Sequence, residues 1–209
     1  FVIVAGENPD EKTLREQLQS LGGELYAVRS SALAEDGVKH SFAGQFDTFL
    51  EVPATNVPQR IAAVRDSVRS ERVLSYCQEN KLPFPAEPAV IVQRMIAARS
   101  AGVAFSADPV SGNRGIAVVS AVSGTGEKLV SGEVDGETWK IIRSGEIFSQ
   151  PEIKVLSAAD AVAVSTLARS CETACGRPQD IEWAIDLSGK LWLLQSRPIT
   201  TLSLTPDPA

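Results

Sequence analysis

The chain has 209 residues, of which 44% are hydrophobic and 22% charged, and its formal net charge is −6. This composition is typical of a soluble globular protein with one domain or two closely packed subdomains. The acidic balance, without an arginine-rich run, argues against a nucleic-acid partner. No apolar run approaches the roughly 20 residues that a membrane helix needs. We therefore expect a cytoplasmic protein with no membrane partner.

The first quarter of the chain reads as alternating short strands and one helix. Residues 1–5 are apolar and β-like, and a capped helix is predicted over residues 9–21. Two glycines end that helix, and residues 25–31 then form a buried strand that stops in a polar cluster. A loop over residues 32–45 leads to a strand over residues 46–52.

The middle of the chain begins with helical spacing over residues 57–81, with a break near Ser70. A proline-rich connection follows, and the short apolar runs after it predict a series of strands. A second capped helix is predicted over residues 157–174. The predicted strands cover residues 89–96, 102–106, 116–122 and 138–143.

A β-hairpin is predicted over residues 180–197, where Ser188 and Gly189 form a two-residue turn candidate. The resulting register places Glu182 opposite Gln195 and Asp180 opposite Arg197, all on one face of the sheet. Helices among many short strands, without regular βαβ alternation, favour an α+β fold.

The polar face of this hairpin has two interpretations. Carboxylate and amide oxygens can hold a divalent cation, and a guanidinium can grip the phosphate that the cation bridges. Alternatively, the hairpin is an ordinary surface hairpin with a solvated face. From the hairpin residues alone, the second interpretation is the more common.

Other polar residues also allow a functional and a structural interpretation. Arg29, at the end of an apolar strand, could clamp a phosphate or form a buried ion pair with Glu35 or Asp36. Gly44 could let backbone amides approach a phosphate, with Thr48 adding a hydroxyl, or it could serve only the turn.

Gln93 lies inside an apolar strand, and its amide could bond an adenine edge or a neighbouring backbone group. The glycine-rich SGTGEK stretch fits neither a P-loop nor a dinucleotide fingerprint, so it reads first as a structural turn. The three cysteines, Cys77, Cys171 and Cys175, read as small core residues.

Five sequence blocks occur together: VRSSALAEDG…SFAGQFDTFLEV, AVIVQRMI, SAGVAFSADPVSG, GTGEKLVSGEV and GRPQDIEWAIDLSGKLWLLQSRPITTL. In this order they resemble the ATP-binding domain of the pyruvate phosphate dikinase and phosphoenolpyruvate synthase family. The resemblance covers residues 26–202. Rifampin phosphotransferases belong to the same group, and the ending LLQSRPITTL is similar to theirs.

The resemblance implies an ATP-grasp-like α+β fold, with mixed or antiparallel sheets and flanking helices, in which two subdomains hold ATP and Mg²⁺. It implies that Arg29 and Arg197 are catalytic and contact the polyphosphate, and that Glu182 and Gln195 ligate Mg²⁺. The positions implied to bind the nucleotide are Arg29, Gly44, Thr48, Gln93 and Arg197.

The chain also departs from the family pattern. The GGK-type segment with a phosphate-binding lysine is missing, so residues 1–201 are expected to form a partial ATP-grasp domain, and residues 202–209 a tail. The family also needs a domain with a phosphorylatable histidine, supplied in cis or trans. Here His40 is the only histidine, and it reads as an exposed loop residue.

Two functions follow from these observations. The first is the Mg·ATP-binding and phosphoryl-transfer component of a dikinase-type phosphotransferase, whose complete enzyme phosphorylates a histidine and then pyruvate or a small molecule such as a rifamycin. The second is a non-catalytic module that keeps the fold and binds nucleotide weakly or not at all.

Overall fold

A computed structural model describes residues 1–31, 47–84, 86–200 and 202. The chain forms two compact units, which consist of residues 1–95 and 96–209. Within the described ranges, no helix is both long and apolar enough to cross a membrane.

The first unit contains a four-stranded antiparallel sheet in the order β1-β4-β2-β3. Its strands are β1 (Val2–Ile3), β2 (Leu25–Ser31), β3 (Thr48–Pro53) and β4 (Ala89–Arg94). The strand predicted over residues 25–31 is confirmed at both ends.

In the described part of this unit, the sheet is accompanied by three helices: α1 (Glu11–Leu21), α2 (Val57–Asp66) and α3 (Glu71–Asn80). Single 3-10 turns precede and follow α2, at Ala54–Asn56 and Ser67–Arg69. The break predicted near Ser70 is therefore present between α2 and α3.

Side-chain caps determine where two of these helices begin. Asp10 Oδ1 accepts a hydrogen bond from the Thr13 amide at 2.7 Å, so α1 begins at Glu11, later than the predicted residue 9. The Ser70 hydroxyl accepts from the Val73 amide at 3.4 Å and opens α3. Both residues are of the type that satisfies unpaired amides at a helix start.

The core of the first unit lies on one face of its sheet. Val28 and Val92 are directly paired across β2 and β4, and both are completely buried. They belong to one cluster with Leu14 of α1 and with Val57 and Val64 of α2. Because side chains alternate along a strand, the residues next to Val28 and Val92 point to the other face.

The second unit contains a six-stranded antiparallel sheet in the order β10-β9-β5-β6-β7-β8. A short helix, α4 (Glu127–Val130), and a long helix, α5 (Ala158–Cys175), complete the unit. The strands are β5 (Ala98–Phe105), β6 (Ile116–Ser123), β7 (Glu137–Ile142), β8 (Ile147–Ser149), β9 (Gln179–Asp186) and β10 (Leu191–Pro198).

Helix α5 covers one face of this sheet. Its residues Val164 and Ala168 are buried in one cluster with Trp139, Ile181 and Trp183. Burial of these large side chains is the main term that stabilises the unit. The helix begins after Ser157, whose hydroxyl accepts from the Asp160 amide, and it ends at Gly176 in the left-handed conformation.

The predicted α+β class is confirmed, since each unit combines an antiparallel sheet with helices on its core face. The cysteine prediction holds only in part. Cys77 is buried and Cys171 is half-buried against the core, but Cys175 is exposed. Cys175 lies in the last turn of α5, where the helix has reached solvent.

Candidate functional site

The turn of the β9–β10 hairpin differs from the prediction. Asp186 donates its amide to the Lys190 carbonyl at 3.0 Å, so the loop is residues 187–189 rather than the two-residue turn. The Asp186 carboxylate accepts from the Ser188 and Lys190 amides at 2.9 and 3.0 Å. Gly189 takes the left-handed conformation that this longer loop needs.

One extra residue in β10 restores the predicted pairing. Leu193 lies opposite Trp183, and Gln195 lies opposite Glu182, so Leu194 is a β-bulge. Beyond it, Arg197 lies opposite Asp180, as predicted. The longer turn shifts the register by one residue, and the bulge shifts it back.

Glu182 and Gln195 lie on the face of the six-stranded sheet that α5 does not cover. Ile181 and Trp183, the strand neighbours of Glu182, are completely buried in the core beneath α5. Glu182 therefore points the other way and is half-buried, as is Gln195. We call the face that carries Glu182, Gln195, Asp180 and Arg197 the hairpin polar face.

Asp180 and Arg197 form an ion pair on this face. Arg197 Nε donates to Asp180 Oδ2 at 2.8 Å, and the Asp180 side chain is only 10% exposed. The second carboxylate oxygen, Oδ1, is buried and accepts no hydrogen bond from the part of the chain that the structure describes. A buried carboxylate oxygen without a donor is costly unless something fills the position beside it.

The oxygens on the hairpin polar face suit a hard divalent cation. Glu182, Gln195 and the unpartnered Asp180 Oδ1 are all oxygen donors, which Mg²⁺ prefers over nitrogen or sulfur. Among the described residues no group of three or more His, Cys, Asp or Glu side chains forms a metal cluster. A cation here would therefore need the side-chain amide of Gln195 and oxygens of a bound phosphate in addition to the carboxylates.

Asp180 is a residue that sequence analysis placed on this face but did not count among the site residues. The sequence feature that could have identified it is the alternation of Asp180 and Glu182 with buried Ile181. This alternation puts two carboxylates on one side of a strand. The orphaned Oδ1 is visible only in the structure.

In the first unit, Arg29 lies directly opposite Thr48 on the neighbouring strand, and Gln93 lies opposite Ala27. Arg29 and Gln93 are half-buried and Thr48 is exposed. All three alternate with the core residues, so they share the face that the helices do not cover. We call this the Arg29 polar face.

A second bulge sets the pairing of Thr48. Tyr26 lies opposite Val52 and Val28 opposite Phe49, so β3 holds one residue more than β2 in this interval. Glu51 takes a left-handed conformation, with φ of 54°, which is uncommon for a residue other than glycine. The bulge lies three residues from Thr48.

Several predicted site positions fall outside the described residues. Gly44, predicted in the phosphate loop, is one of them, and His40, predicted to be an exposed loop residue, also lies there. Glu35 and Asp36, the predicted ion-pair partners of Arg29, also lie outside the described ranges.

The glycine-rich SGTGEK stretch contains more structure than the predicted turn. The Gly124 amide donates to the Arg99 carbonyl at 2.9 Å, and α4 follows directly. Gly126 packs close to Ala101, whose pairing with Ala184 puts it on the hairpin polar face.

The loop after β5 is anchored by a buried carboxylate that sequence analysis did not single out. Asp108 accepts a hydrogen bond from Lys140 Nζ at 2.9 Å and from the Val110 amide at 2.9 Å. Burial raises the pKa of Asp108, but the bonds from Lys140 and the loop amides outweigh it and lower the pKa to about 2. The carboxylate is therefore ionised at neutral pH.

The sequence match defines the class of this chain as an ATP-binding domain of the dikinase type. The family profile described as pyruvate phosphate dikinase, AMP/ATP-binding domain, matches residues 9–154 and 146–208. The chain belongs to this family, and the resemblance drawn from its motifs is confirmed.

Two curated relatives show the breadth of the family. A rifampicin phosphotransferase of Streptomyces sviceus is 40% identical over 88% of this chain and 24% of its own length. A probable phosphoenolpyruvate synthase of Archaeoglobus fulgidus is 34% identical over 90% of this chain and 29% of its own length. The chain thus spans about a quarter of the length of these relatives.

Among solved structures, the D-alanine-D-alanine ligase from Coxiella burnetii is similar to this chain. The match has a TM-score of 0.47 and 10% identity, and it covers all of this chain and 44% of the ligase.

Proposed function

We propose that this chain binds Mg·ATP and takes part in phosphoryl transfer within a dikinase-type phosphotransferase. The observation that carries this proposal is the pairing of Glu182 with Gln195 on the hairpin polar face, beside the buried unpartnered Oδ1 of Asp180. Family membership supports ATP as the ligand.

The Arg29 polar face is assigned to the nucleotide. The guanidinium of Arg29 would pair with phosphate oxygens, and the hydroxyl of Thr48, directly opposite, would donate to the same group. Gln93, two residues along the same face from the partner of Arg29, would read the adenine edge with its amide. Gly44 would let backbone amides approach the phosphates.

The hairpin polar face is assigned to the cation and the terminal phosphate. Glu182 and Gln195 would hold Mg²⁺ through their oxygens. Asp180 Oδ1 would be a further ligand of the ion or would accept a hydrogen bond from one of its waters. When bound, Mg²⁺ supplies charge neutralisation on the phosphate oxygens. Arg197, held in orientation by Asp180, would stabilise charge on the transferring phosphoryl group.

Arg29 and Arg197 are therefore the residues to which we assign catalytic roles. Neither forms a covalent bond with the phosphoryl group in this scheme. Both bind and orient the phosphates, because phosphoryl transfer depends on positioning and electrostatic stabilisation more than on covalent chemistry of the protein.

The wider reaction is proposed from the relatives. The phosphoryl group would pass to a histidine on another domain, in cis or in trans, and then to pyruvate, a rifamycin or another acceptor. The names of the two relatives, a rifampicin phosphotransferase and a probable phosphoenolpyruvate synthase, support a phosphotransferase reaction. We expect the whole protein to work in the cytoplasm, where ATP is abundant.

Titration calorimetry with ATP, with and without Mg²⁺, tests the proposal. We expect measurable affinity for Mg·ATP that falls at least about tenfold in both Glu182→Ala and Arg29→Ala, a loss of about 1.4 kcal/mol each. Glu152→Ala and Arg69→Ala change exposed residues of the same charge types and serve as matched controls. Absence of heat at millimolar ATP would instead support a non-catalytic module.

A further inference from the structure

In each polar face, a one-residue β-bulge lies next to the candidate ligands. Leu194 is the extra residue of β10 and directly precedes Gln195. In β3, Leu50 and Glu51 lie within the bulge, close to Thr48. The two bulges occur in different sheets and different units, so neither is a consequence of the other.

In the chain as it stands, the two bulges set these pairings, but deletion of the extra residue would keep the same residues opposite each other. Without Leu194, Leu193 would still lie opposite Trp183, and Gln195 opposite Glu182, in a regular ladder. The same holds in β3, where one residue fewer would leave Thr48 opposite Arg29. A deletion variant therefore keeps the register and loses only the bend of the strand, so it separates the two contributions of the bulge.

A bulge bends its strand and increases the local twist, which changes the direction of the side chains beside it. In β10 the affected side chain is Gln195, which must meet Glu182 at an angle that suits one cation. In β3 the bulge begins after Phe49, the neighbour of Thr48, and under the proposed function Thr48 would share one phosphate with Arg29. Glu51 also keeps a left-handed conformation that costs a non-glycine residue free energy.

We propose that the bulges at Leu194 and at Glu51 have a positioning role that depends on the extra backbone residue and not on its side chain. The first aims Gln195 at the Mg²⁺ position, and the second aims Thr48 at the nucleotide phosphates. This inference rests on the proposed function and assigns each bulge to a different part of the ligand. The Leu194 bulge acts on the cation, and the Glu51 bulge acts on the nucleotide.

Other bulges in the six-stranded sheet provide a comparison. Phe148 is the extra residue in β8, where Lys140 lies opposite Ser149 and Ile141 opposite Ile147. It is 67% exposed and adjoins none of the proposed ligands. Its deletion removes a bulge from the same sheet without touching either candidate ligand group.

Single-residue deletions combined with titration calorimetry test the proposal. ATP affinity is measured with and without Mg²⁺, and the ratio of the two dissociation constants gives the Mg²⁺ enhancement. Deletion of Leu194 should reduce this enhancement roughly 10- to 100-fold, the range seen when support of a metal ligand is lost, and leave the affinity for metal-free ATP unchanged. Deletion of Glu51 should weaken metal-free ATP binding and leave the enhancement unchanged.

Matched substitutions separate the bulge from the side chain at the bulge. Leu194→Ala and Glu51→Gly keep the number of residues, so both should bind like the unmodified chain, as should the chain without Phe148. Circular dichroism and thermal unfolding establish that each variant is folded. Should a deletion variant not fold, insertion of one glycine after the same residue widens the bulge and is measured in its place.

The outcomes are distinct. If the unmodified chain shows no Mg²⁺-dependent ATP binding, the proposed function fails. If it binds, but folded deletion variants keep both affinities, or lose both together, the positioning roles are wrong. The inference is supported only if deletion of Leu194 reduces the Mg²⁺ enhancement alone and deletion of Glu51 weakens metal-free ATP binding alone.

Discussion

Glu182 lies directly opposite Gln195 because two local deviations in the same hairpin cancel. The loop at residues 187–189 is one residue longer than the tightest turn, and Leu194 adds one residue to β10. The carboxylate and the amide consequently share one face of the sheet. The same compensation brings Arg197 opposite Asp180.

The Asp180–Arg197 pair should contribute to stability as well as to ligand binding. Arg197→Ala leaves a carboxylate that is only 10% exposed without its cation, and we expect a loss of about 1–3 kcal/mol. Urea unfolding measures it. In the double variant with Asp180→Ala, the total loss should be smaller than the sum of the single losses, and strict additivity would contradict a direct interaction.

The Asp108–Lys140 pair predicts a specific pH dependence. The folded-state pKa of Asp108 is lowered to about 2, so its contribution is present above the unfolded pKa of about 3.9 and is lost as pH falls through about 2. Asp108→Asn should therefore cost about 1–2 kcal/mol at pH 7. The difference in unfolding free energy from the unmodified chain should shrink as the pH is lowered from 4 toward 2.

That comparison is made by urea unfolding at several pH values. Lys140→Met supplies a second variant, because it removes the cation and leaves the carboxylate. If the difference in unfolding free energy between Asp108→Asn and the unmodified chain stayed constant down to the lowest pH, the charge of Asp108 would not contribute to stability.

Two helices end in a residue with the left-handed conformation, and this residue is a lysine in one helix and a glycine in the other. Lys81 ends α3 with φ of 53°, and Gly176 ends α5 with φ of 69°. Lys81→Gly removes the steric cost of the left-handed conformation and should stabilise the chain by about 0.5–1 kcal/mol. Gly176→Ala introduces that cost and should destabilise it by about 1 kcal/mol. Opposite shifts of the thermal midpoint are expected, and shifts of the same sign would contradict this explanation.

Gly102 lies where two strands leave no room for a side chain. A Cβ atom there would lie 2.0 Å from the Ser120 carbonyl oxygen, so Gly102→Ala should cost about 3 kcal/mol or abolish folding. Gly126→Ala is the matched control, because its Cβ would make only contacts of 3.4 Å or more. The soluble yield and the urea midpoint of the two variants provide the comparison.

Much of the fold could be predicted because local signals and burial agree. The strand from Leu25 to Ser31 and the helix between Ser157 and Gly176 combine apolar periodicity with clear end signals. The start of α1 was less well determined, because Asn8 and Asp10 are both good caps and only the fold selects Asp10.

For the candidate site, too, some features could be predicted from the sequence and others could not. Alternation along a single strand was sufficient to predict that Glu182 points away from the core. The unpartnered oxygen of Asp180 and the left-handed conformation of Glu51 could not be predicted. Both depend on atoms that are distant in sequence.

The sequence by itself determined the α+β class, the family and the residues that face away from each core, since these follow from composition, periodicity and motif order. Only the tertiary structure decided how the β9–β10 hairpin reaches its register. The Asp186 carboxylate holds the longer turn by accepting from the Ser188 amide and from Trp192 Nε1, and Trp183, opposite the residue before the bulge, is buried beneath α5. The pairing of Glu182 with Gln195 agrees with the prediction, but the folded sheet reaches it through a longer loop and a bulge that the sequence pattern did not predict.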